Sequence, residues 1–522
     1  MPRLTIDNIA VEVPAGSTVL DAARKVGIRI PTLCHREGHS PQTSCLICLV
    51  KVNGNGRLLP SCATRVSDGM VVQSETAEVR EARRTGIELL LAEHAGDCMA
   101  PCQGVFPAHM DIPRMLDHIA EGRLREALAV VKEAIALPAV LGRICPELCE
   151  KGCRRGDVDQ PVAICKLKRH VADDDLASGH PYLPAIAPAS GKRVAIVGAG
   201  PAGLAAAYYL QALGHACTIL DEHEQPGGAL RYAVGEAKLP HDVLDAEIGV
   251  ILKLGATLRG GFVLGRDGHV ERLRSEYDAV LVAVGPADVA KAAGLGLPLL
   301  GVKSLDLDKH TLMTRMTGVF LAGAVITPYK HAVRAVADGR SAAASIHQYL
   351  TGMDVSGPHK LYSVHIGKLR PEELAVSRTL GVPAGRAAAD PASGALSYEV
   401  APTEADRCLR CQCSADRSCA LRKLADEYGA NQRRFSVPRK AYERVVVQSG
   451  VVYERGKCIS CGLCVAVAAE AKEELGLSFI GRGFDIRVGV PLDGEGKRAL
   501  DKCAAECVEV CPTGALSFAG RR

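Results

Sequence analysis

The pattern of apolar and polar positions changes character along the 522-residue chain. Near the amino terminus, residues 4–13 alternate between apolar and polar side chains about a turn at Asp7-Asn8, which predicts a short β-hairpin. Ser17 is the predicted cap of the following helix, which ends at Gly27. Further along, RRTGIELLLAEH has the spacing of an amphipathic helix.

The middle of the chain has a different pattern. The segment KRVAIVGAGPAGLAAAYYLQALGHACTILDE predicts a strand, a G-x-G-x-x-G turn, a helix and a second strand. Gly198 suits the tight turn, Gly200 lets a pyrophosphate approach the backbone, and Gly203 lets the helix pack closely on the strand. Asp221 ends the second strand, where a carboxylate can bind ribose hydroxyls. Glycines and a proline interrupt the apolar run, so we expect a βαβ unit and no membrane span.

Charge and cysteine content narrow the functional classes. Lys and Arg number 63 against 59 Asp and Glu, and no basic tract indicates nucleic acid or an anionic membrane. The first residues lack the apolar segment of a signal peptide, so we expect a cytoplasmic protein. Of 21 cysteines, all but Cys217 lie in groups near the two ends. In a reducing cytosol such groups indicate metal binding and not disulfides.

The first cysteine group has the spacing C-x10-C-x2-C-x13-C, in the context GIRIPTLC and CLICLVKVNG. This text resembles the [2Fe–2S] domain that begins the large iron–sulfur subunit of respiratory complex I. The resemblance implies a β-grasp-type ferredoxin over residues 1–80. A zinc site is the alternative. The implied ligands are Cys34, Cys45, Cys48 and Cys62.

A helical region over residues 81–185 carries the next group. The segments DIPRMLDHIAEGRLREAL, LGRICPELCEKGCRRG and PVAICKLKRHVAD resemble the amino-terminal domain of the glutamate synthase small-subunit family, which includes dihydropyrimidine dehydrogenase. That domain normally holds two [4Fe–4S] clusters. The family often has a cysteine where this chain has Phe106, so survival of a single cluster is the alternative. The implied ligands are Cys98, Cys102 and Cys153 for one cluster and Cys145, Cys149 and Cys165 for the other.

His94 is a candidate fourth ligand of the first of these clusters, because complex I uses a histidine in a similar H-x3-C setting. The alternative is a surface histidine at the end of a helix. The fourth ligand of the second cluster has no candidate in the sequence.

Residues 186–352 resemble the flavin domain of the glutamate synthase small-subunit family in EQPGGALRYAVGEAKLP, YDAVLVAVG and the segment from 318 to 350. The resemblance implies bound FAD. The family places a complete NAD(P)-binding domain between the last two elements, whereas only 32 residues separate Gly285 from Gly318 here. We therefore expect no such domain. The implied cofactor-binding residues are Gly198, Gly200, Gly203, Asp221, Gly228, Arg231, Gly285 and Gly323, the last followed by Ala324 where the family has aspartate.

The last part of the chain comprises a predicted linker, 353–402, and a ferredoxin-like region, 403–522. Four thiols within twelve residues predict one [4Fe–4S] cluster, with zinc as the alternative. A C-x2-C-x2-C run with a distant Cys-Pro predicts another cluster, and Cys503 and Cys507 leave open a second one. The predicted ligands are Cys408, Cys411, Cys413 and Cys419, and then Cys458, Cys461, Cys464 and Cys511.

Together these patterns predict a multidomain α/β and α+β protein with FAD, one [2Fe–2S] cluster and three to four [4Fe–4S] clusters. No residue set indicates a catalytic site for a substrate of its own. The predicted function is an electron-transfer subunit of a multi-subunit oxidoreductase. Its partners would be an NAD(P)-binding flavoprotein, a substrate-oxidising or substrate-reducing subunit, or a ferredoxin. The alternatives are a self-contained NAD(P)H:acceptor oxidoreductase and a redox sensor.

Overall fold

The structure is a computed structural model. It describes residues 1–54, 57–287, 289–300, 304–435, 437–447, 449–492 and 500–519. Of the helices in these ranges, none combines the length and apolar character that a membrane crossing requires.

The amino-terminal strands are followed by a run of helices, and helices and strands are interspersed in the rest of the described chain. The helices are α1 Val19–Lys25, α2 Ala77–Ala92, α3 Pro101–Val105, α4 Ile112–Ala120, α5 Leu124–Lys132, α6 Pro138–Ile144, α7 Leu148–Lys151, α8 Ile164–Ala177, α9 Pro201–Ala212, α10 Ala229–Tyr232, α11 His241–Lys253, α12 Val270–Glu276, α13 Val289–Gly294, α14 Ala332–Leu350, α15 Pro371–Arg378, α16 Ala401–Asp406, α17 Ala420–Glu427, α18 Leu463–Glu470 and α19 Ala504–Val510. The strands are β1 Arg3–Ile6, β2 Ile9–Glu12, β3 Leu49–Val52, β4 Leu58–Pro60, β5 Met70–Gln73, β6 Arg193–Val197, β7 Ala216–Leu220, β8 Thr257–Arg259, β9 Ala279–Val282, β10 Leu299–Leu300, β11 Ser304–Leu305, β12 Val319–Leu321, β13 Val445–Val446, β14 Val451–Tyr453, β15 Ser478–Ile480, β16 Arg487–Gly489 and β17 Leu516–Phe518.

The chain forms two compact units. Unit 1 comprises Met1–Met99, Leu361–Ser377 and Cys411–Arg521, and unit 2 comprises Ala100–Lys360 and Arg378–Arg410. The predicted linker 353–402 therefore contributes residues to both units. Within unit 1, the backbone N–H of Val364 donates to Cys98 Sγ at 3.4 Å, so this segment is part of a packed core.

Unit 1 begins with a mixed sheet in the order β2-β1-β5-β3-β4. Strand β1 is parallel to β5 and antiparallel to β2, and α1 lies beside them with its apolar face buried. The predicted hairpin at Asp7-Asn8 is therefore present. The predicted cap at Ser17 is wrong by one residue. Thr18 caps α1, because its hydroxyl accepts the Asp21 N–H while the Asp21 carboxylate accepts the Thr18 N–H.

The carboxy-terminal part of unit 1 is built on a three-stranded antiparallel sheet, β13-β14-β17. Helices α18 and α19 pack against each other, and apolar residues of the sheet and both helices form one buried cluster. Strands β15 and β16 form a separate antiparallel pair. This arrangement brings the start of α18 close to the end of α19, two positions at which cysteines lie.

Unit 2 contains a five-stranded parallel sheet in the order β12-β9-β6-β7-β8. Its inner strands are largely apolar, as in AVLV of β9, which is expected for strands covered on both faces. Helix α9 follows β6 and packs along α14. Gly339 lets α14 approach α9, since a Cβ there would lie 2.1 Å from the Ala202 carbonyl oxygen. Gly203 lets α9 lie close to the turn after β6, since a Cβ there would lie 1.9 Å from the Gly198 carbonyl oxygen.

The helical part of unit 2 is tied to the parallel-sheet part by a buried ion pair. Glu247 on α11 and Lys132 on α5 are both almost fully buried, with Oε1 and Nζ 3.5 Å apart. Glu247 Oε2 also accepts the backbone N–H groups of Ala139 and Val140 in the first turn of α6, at 3.0 and 3.2 Å. Because α6 leads directly into Cys145, this carboxylate fixes the position of a predicted cluster ligand.

We expect Gly339→Ala to destabilise unit 2, because the added methyl group would collide with the Ala202 carbonyl between α9 and α14. Overpacking of this kind costs about 1–3 kcal/mol. The matched control is Gly249→Ala on α11, where a Cβ would meet no atom within 4 Å. That variant should gain up to about 1 kcal/mol from helix propensity. Thermal unfolding midpoints of the two full-length variants should move in opposite directions, and a G339A midpoint at or above that of the unchanged protein would contradict the packing argument.

Candidate functional site

The four thiols of the amino-terminal group are buried and lie in two close pairs. Cys34 Sγ is 3.3 Å from Cys45 Sγ, and Cys48 Sγ is 3.4 Å from Cys62 Sγ. The hydrogen bond between the Cys34 and Cys45 thiols lowers the pKa of Cys34, and the one between the Cys48 and Cys62 thiols lowers the pKa of Cys48. The structure therefore brings all four predicted ligands of the [2Fe–2S] site to one place, on the loops around β3 and β4.

Three cysteines in different parts of the chain share one local geometry. In each, the residue two positions later has a positive φ and its backbone N–H points at the cysteine sulfur. Left-handed backbone costs a non-glycine residue roughly 1–2 kcal/mol, so a repeated instance at cysteines indicates a selected feature. N–H···S hydrogen bonds are also a means by which proteins tune iron–sulfur clusters. The pairs are Cys145 with Glu147, Cys408 with Arg410 and Cys458 with Ser460.

The carboxy-terminal thiols surround one small cavity. Cys458, Cys461 and Cys464 at the start of α18 and Cys511 at the end of α19 all line it. Burial raises the pKa of Cys461 to about 12. Cys507 belongs elsewhere, since its sulfur faces Cys503 Sγ at 3.7 Å and the Cys464 carbonyl at 3.6 Å. The four predicted ligands thus converge without Cys503 and Cys507.

A third group in unit 1 joins cysteines that are far apart in sequence. Cys98, Cys413 and Cys419 are buried, and burial together with the Cys413 thiol raises the pKa of both Cys98 and Cys419. The backbone holds them together, because Cys413 N–H donates to Asp97 O at 2.8 Å. Gly514 must be glycine here, because a Cβ at that position would lie 2.3 Å from Cys413 Sγ.

Two further side chains of unit 1, those of His94 and Lys457, lie near the group of Cys98, Cys413 and Cys419. His94 is buried, and its Nδ1 has no hydrogen-bond partner among the residues that the structure describes. Burial lowers its pKa to about 3, so it is neutral, as a metal-ligating imidazole must be. Lys457 is buried beside His94, at Gly96, and its Nζ donates to Glu454 Oε2 at 2.5 Å. Its charge also interacts with the Cys413 thiol.

In unit 2, Cys145, Cys149 and Cys165 lie together between α6, α7 and α8. The Cys145 and Cys165 thiols are hydrogen-bonded, and burial raises the pKa of Cys149 to about 12. Lys168 on α8 is fully buried beside them. Burial alone would lower the pKa of Lys168, but the thiols of Cys165, Cys145 and Cys149 raise it above its ordinary value.

Two predicted ligand sets are divided between the units. Cys98 lies in unit 1, whereas Cys102 and Cys153 lie in unit 2, where α3 packs against α7. Cys408 lies in unit 2, whereas Cys411, Cys413 and Cys419 lie in unit 1. Within the described ranges, no three His, Cys, Asp or Glu side chains form a group that could hold a single metal ion. The thiol groups are therefore neighbours and not closed coordination spheres.

A cavity of about 620 Å³ lies at the carboxyl ends of the parallel strands in unit 2. Of the predicted cofactor-binding residues, Gly198, Gly200, Asp221, Gly228 and Gly285 line it. This is where a dinucleotide binds in an open α/β sheet. The glycine roles follow from the geometry, because a Cβ on Gly198 would lie 2.4 Å from the Ala283 carbonyl oxygen.

The other three predicted residues do not line this cavity. Gly203 serves the packing of α9 on β6, and Gly323 donates its N–H to Asp338 Oδ2 at 3.2 Å. Arg231 is buried, with its guanidinium bonded to Asp245 and, at 2.7 Å, to the Pro226 carbonyl. Residues 286–317, expected to be too short for an NAD(P)-binding domain, contain α13, β10 and β11, while 288 and 301–303 lie outside the described residues.

Comparison with protein families matches three consecutive segments. Residues 2–77 match a 2Fe-2S iron–sulfur cluster binding domain, residues 74–180 match dihydropyrimidine dehydrogenase domain II with its 4Fe-4S cluster, and residues 196–250 match an NAD(P)-binding Rossmann-like domain. The chain therefore combines a 2Fe–2S domain, a 4Fe–4S domain and a Rossmann-like domain. This confirms the resemblances to iron–sulfur and glutamate synthase small-subunit-like proteins.

Curated relatives match over part of their length. The beta subunit of an NADP(+)-dependent formate dehydrogenase from Moorella thermoacetica is 42% identical over 36% of this chain and 29% of that protein. The beta subunit of an NADPH-Fe(3+) oxidoreductase from Geobacter sulfurreducens is 37% identical over 42% of this chain and 34% of its own length. The PreT subunit of an NAD-dependent dihydropyrimidine dehydrogenase from Escherichia coli O157:H7 is 38% identical over 42% and 53%. The chain thus spans between about a third and a half of these relatives.

Sequence reasoning missed several residues of these sites. Lys168 and Lys457 are buried beside thiols, and Tyr329, Lys330 and His331 line the nucleotide cavity. The signal for Lys168 was present, because a lysine three residues after a cysteine on a helix lies on the same face. The adjacency of Lys457 to Cys458 was a weaker signal. The cavity residues precede α14 and carry no motif.

We expect Cys511→Ser to remove one [4Fe–4S] signal from the electron paramagnetic resonance spectrum of the reduced protein, because Cys511 lines the cavity with three other thiols. Cys507→Ser is the matched control and should leave that signal in place, since its sulfur faces Cys503 and a carbonyl. Loss of the same signal in both variants would show that the ligand set is wrong.

We expect Cys98→Ser and Cys413→Ser to remove the same [4Fe–4S] signal, although 315 positions separate the two residues, because the backbone places both thiols in one buried group. Cys217→Ser, which alters the lone buried thiol of β7, is the control and should change no signal. Two different signals lost from the two variants would refute the grouping.

Proposed function

We propose that the chain is an electron-transfer subunit of a multi-subunit oxidoreductase. FAD would occupy the cavity of unit 2, and iron–sulfur clusters the thiol groups of both units. A bound flavin would exchange electrons in pairs and the clusters singly, which is the chemistry of an electron relay. The names of the three relatives, all subunits of oxidoreductases, support the same class.

The observation that carries the proposal is the packing of three thiol groups on one apolar cluster in unit 1. This cluster includes Cys34 and Cys45 of the amino-terminal group, Cys98 and Cys419 of the third group, and Cys461 of the carboxy-terminal group. The thiol of Cys34 acts electrostatically on that of Cys461, and the Cys419 thiol lies 3.7 Å from the carbonyl of Pro512, the residue after Cys511. The carboxy-terminal group therefore has a neighbour on each side. Centres held there would form a short series.

Apolar residues of unit 1 exclude water from the space around these thiol groups. Leu33, Ile47, Leu91 and Leu463 are buried within the same cluster and leave little room for water. A low-dielectric surrounding and fixed N–H···S hydrogen bonds set the potentials of such centres. We propose Cys98, Cys413 and Cys419 as ligands of one cluster, with His94 or Cys411 as the fourth. This ligand set replaces the one predicted from the sequence, which comprised Cys98, Cys102 and Cys153.

The residues of unit 2 suit a nucleotide cofactor whose reactive part lies near a cluster. Gly198 and Gly200 expose backbone at the start of α9, where a pyrophosphate binds. Asp221 lines the cavity, where it would face a ribose, and its Oδ2 accepts the Ala199 N–H at 2.5 Å. Ile144, the residue immediately before Cys145, lines the same cavity. The thiol group of unit 2 is thus adjacent to the proposed flavin site.

A second candidate is a self-contained NAD(P)H:acceptor oxidoreductase. The match of residues 196–250 to an NAD(P)-binding Rossmann-like domain favours it, because a Rossmann-like site accepts either FAD or a nicotinamide dinucleotide. Against it, the 32 residues of 286–317 are too few for a separate domain that would hold a second dinucleotide. A partner subunit would then supply the nicotinamide site.

We expect the anaerobically purified chain to contain FAD and about 14 to 18 irons, the content of one [2Fe–2S] and three or four [4Fe–4S] clusters. Dithionite should bleach its visible absorbance, whereas NADH and NADPH should not, because hydride transfer needs a nicotinamide held in a defined pose against the flavin. Stopped-flow absorbance spectroscopy measures both reactions.

The dithionite reaction is the control, since it shows that the centres of the same sample are competent. Rapid bleaching by NADH or NADPH would contradict the proposal and favour the self-contained enzyme. An iron content near four per chain, with zinc in the remaining thiol groups, would contradict the relay itself.

A further inference from the structure

Lys168 is an ammonium group buried in unit 2 without a hydrogen-bond partner among the described residues. Its side chain lies on α8 and the residue is only 1% exposed. An unpaired charge is among the most unfavourable groups to bury, so a folded protein retains one only where opposite charge is supplied. The question is which group supplies it.

Three thiols act electrostatically on Lys168, and an aromatic ring lies beside it. Cys165 lies three residues before Lys168 on the same face of α8, and its thiol is hydrogen-bonded to the thiol of Cys145. Cys149 is buried at 1% exposure in the same group. The ring of Phe106 lies on another side, with its centroid 5.6 Å from the Lys168 Nζ. A ring face attracts a cation only weakly.

The neighbouring carboxylate is already engaged. Glu150 Oε1 accepts the Cys165 N–H at 2.9 Å, and Oε2 accepts the Arg386 guanidinium at 2.7 Å. Its charge is therefore shared with Arg386, and among the charges that raise the pKa of Lys168 it ranks behind those of Cys165, Cys145 and Cys149. The main source of negative charge is the thiol group itself, once its members ligate iron as thiolates.

We propose that Lys168 is the buried counter-charge of an iron–sulfur cluster held by Cys145, Cys149 and Cys165, and that it raises the reduction potential of that cluster. Reduction adds one electron to an already anionic centre. A fixed cation nearby, in a low-dielectric interior, stabilises the reduced form more than the oxidised one. This inference rests on the proposed function, which assigns a cluster to these thiols.

The test is a potentiometric titration of the anaerobic full-length protein, followed by electron paramagnetic resonance. The Cys149→Ser variant first identifies the signal of this cluster. Lys168→Met and Lys168→Gln both remove the charge, and Met does so without burying a new polar group, so either variant that folds is sufficient. The control is Lys166→Gln, which removes a cation from the same helix. Lys166 is half-buried, and among the described contacts its side chain makes none with the thiols.

We expect the assigned signal to titrate at a more negative potential in K168M and K168Q, with at least a tenfold change in the reduction equilibrium, or about 59 mV for a one-electron couple. K166Q should titrate as the unchanged protein does, and Lys168→Arg should restore most of the difference. An unchanged potential in both neutral variants would overturn the inference while leaving the cluster assignment intact. An unchanged spectrum in Cys149→Ser would instead overturn the assignment of a cluster to these thiols.

Discussion

Buried charge is the constraint on which the interior of this protein depends. Arg83, Arg155 and Arg407 are among its largest fully buried side chains, and each is bonded to a carboxylate. Lys457 is paired with Glu454 in the same manner. An unpaired buried ion costs several kcal/mol, so each of these cations depends on its partner. These pairs are local in sequence, but Arg407 also pairs with Asp159 and Arg83 also donates to the Tyr428 hydroxyl, so these two cations each join distant segments of the chain. Lys168 stands apart because its compensating groups are thiols.

The same constraint acts on the thiols. Burial raises the pKa of Cys149, Cys419 and Cys461 to about 12, so without metal these groups are neutral at physiological pH. Ligation requires thiolates, and therefore cluster assembly must release protons as iron supplies the positive charge. These three thiols are thus positioned by packing before they carry charge. The positive-φ residues after Cys145, Cys408 and Cys458 are part of this preparation.

Local sequence patterns predicted the local parts of the sites. The G-x-G-x-x-G turn, the parallel strands around it and the convergence of Cys458, Cys461 and Cys464 with Cys511 all followed from spacing or from a family resemblance. The meeting of Cys98 with Cys413 and Cys419 could not be predicted, because it depends on chain paths that no periodicity records. Arg231 is polar in a glycine-rich loop, yet its partner Asp245 lies on α11, a contact visible only in three dimensions.

The buried pair of Glu247 and Lys132 joins the two parts of unit 2 to which the proposal assigns different cofactors. Glu247 belongs to α11 of the Rossmann-like part, and its carboxylate accepts the first N–H groups of α6 in the helical part. Helix α6 ends at Ile144, which lines the nucleotide cavity, and Cys145 follows immediately. The cavity and the thiol group therefore meet at the carboxyl end of one short helix, whose amino end is held by the Glu247 carboxylate. Electron transfer depends steeply on the distance between two centres. In the proposed relay, the ion pair of Glu247 and Lys132 would contribute by holding α6 in position.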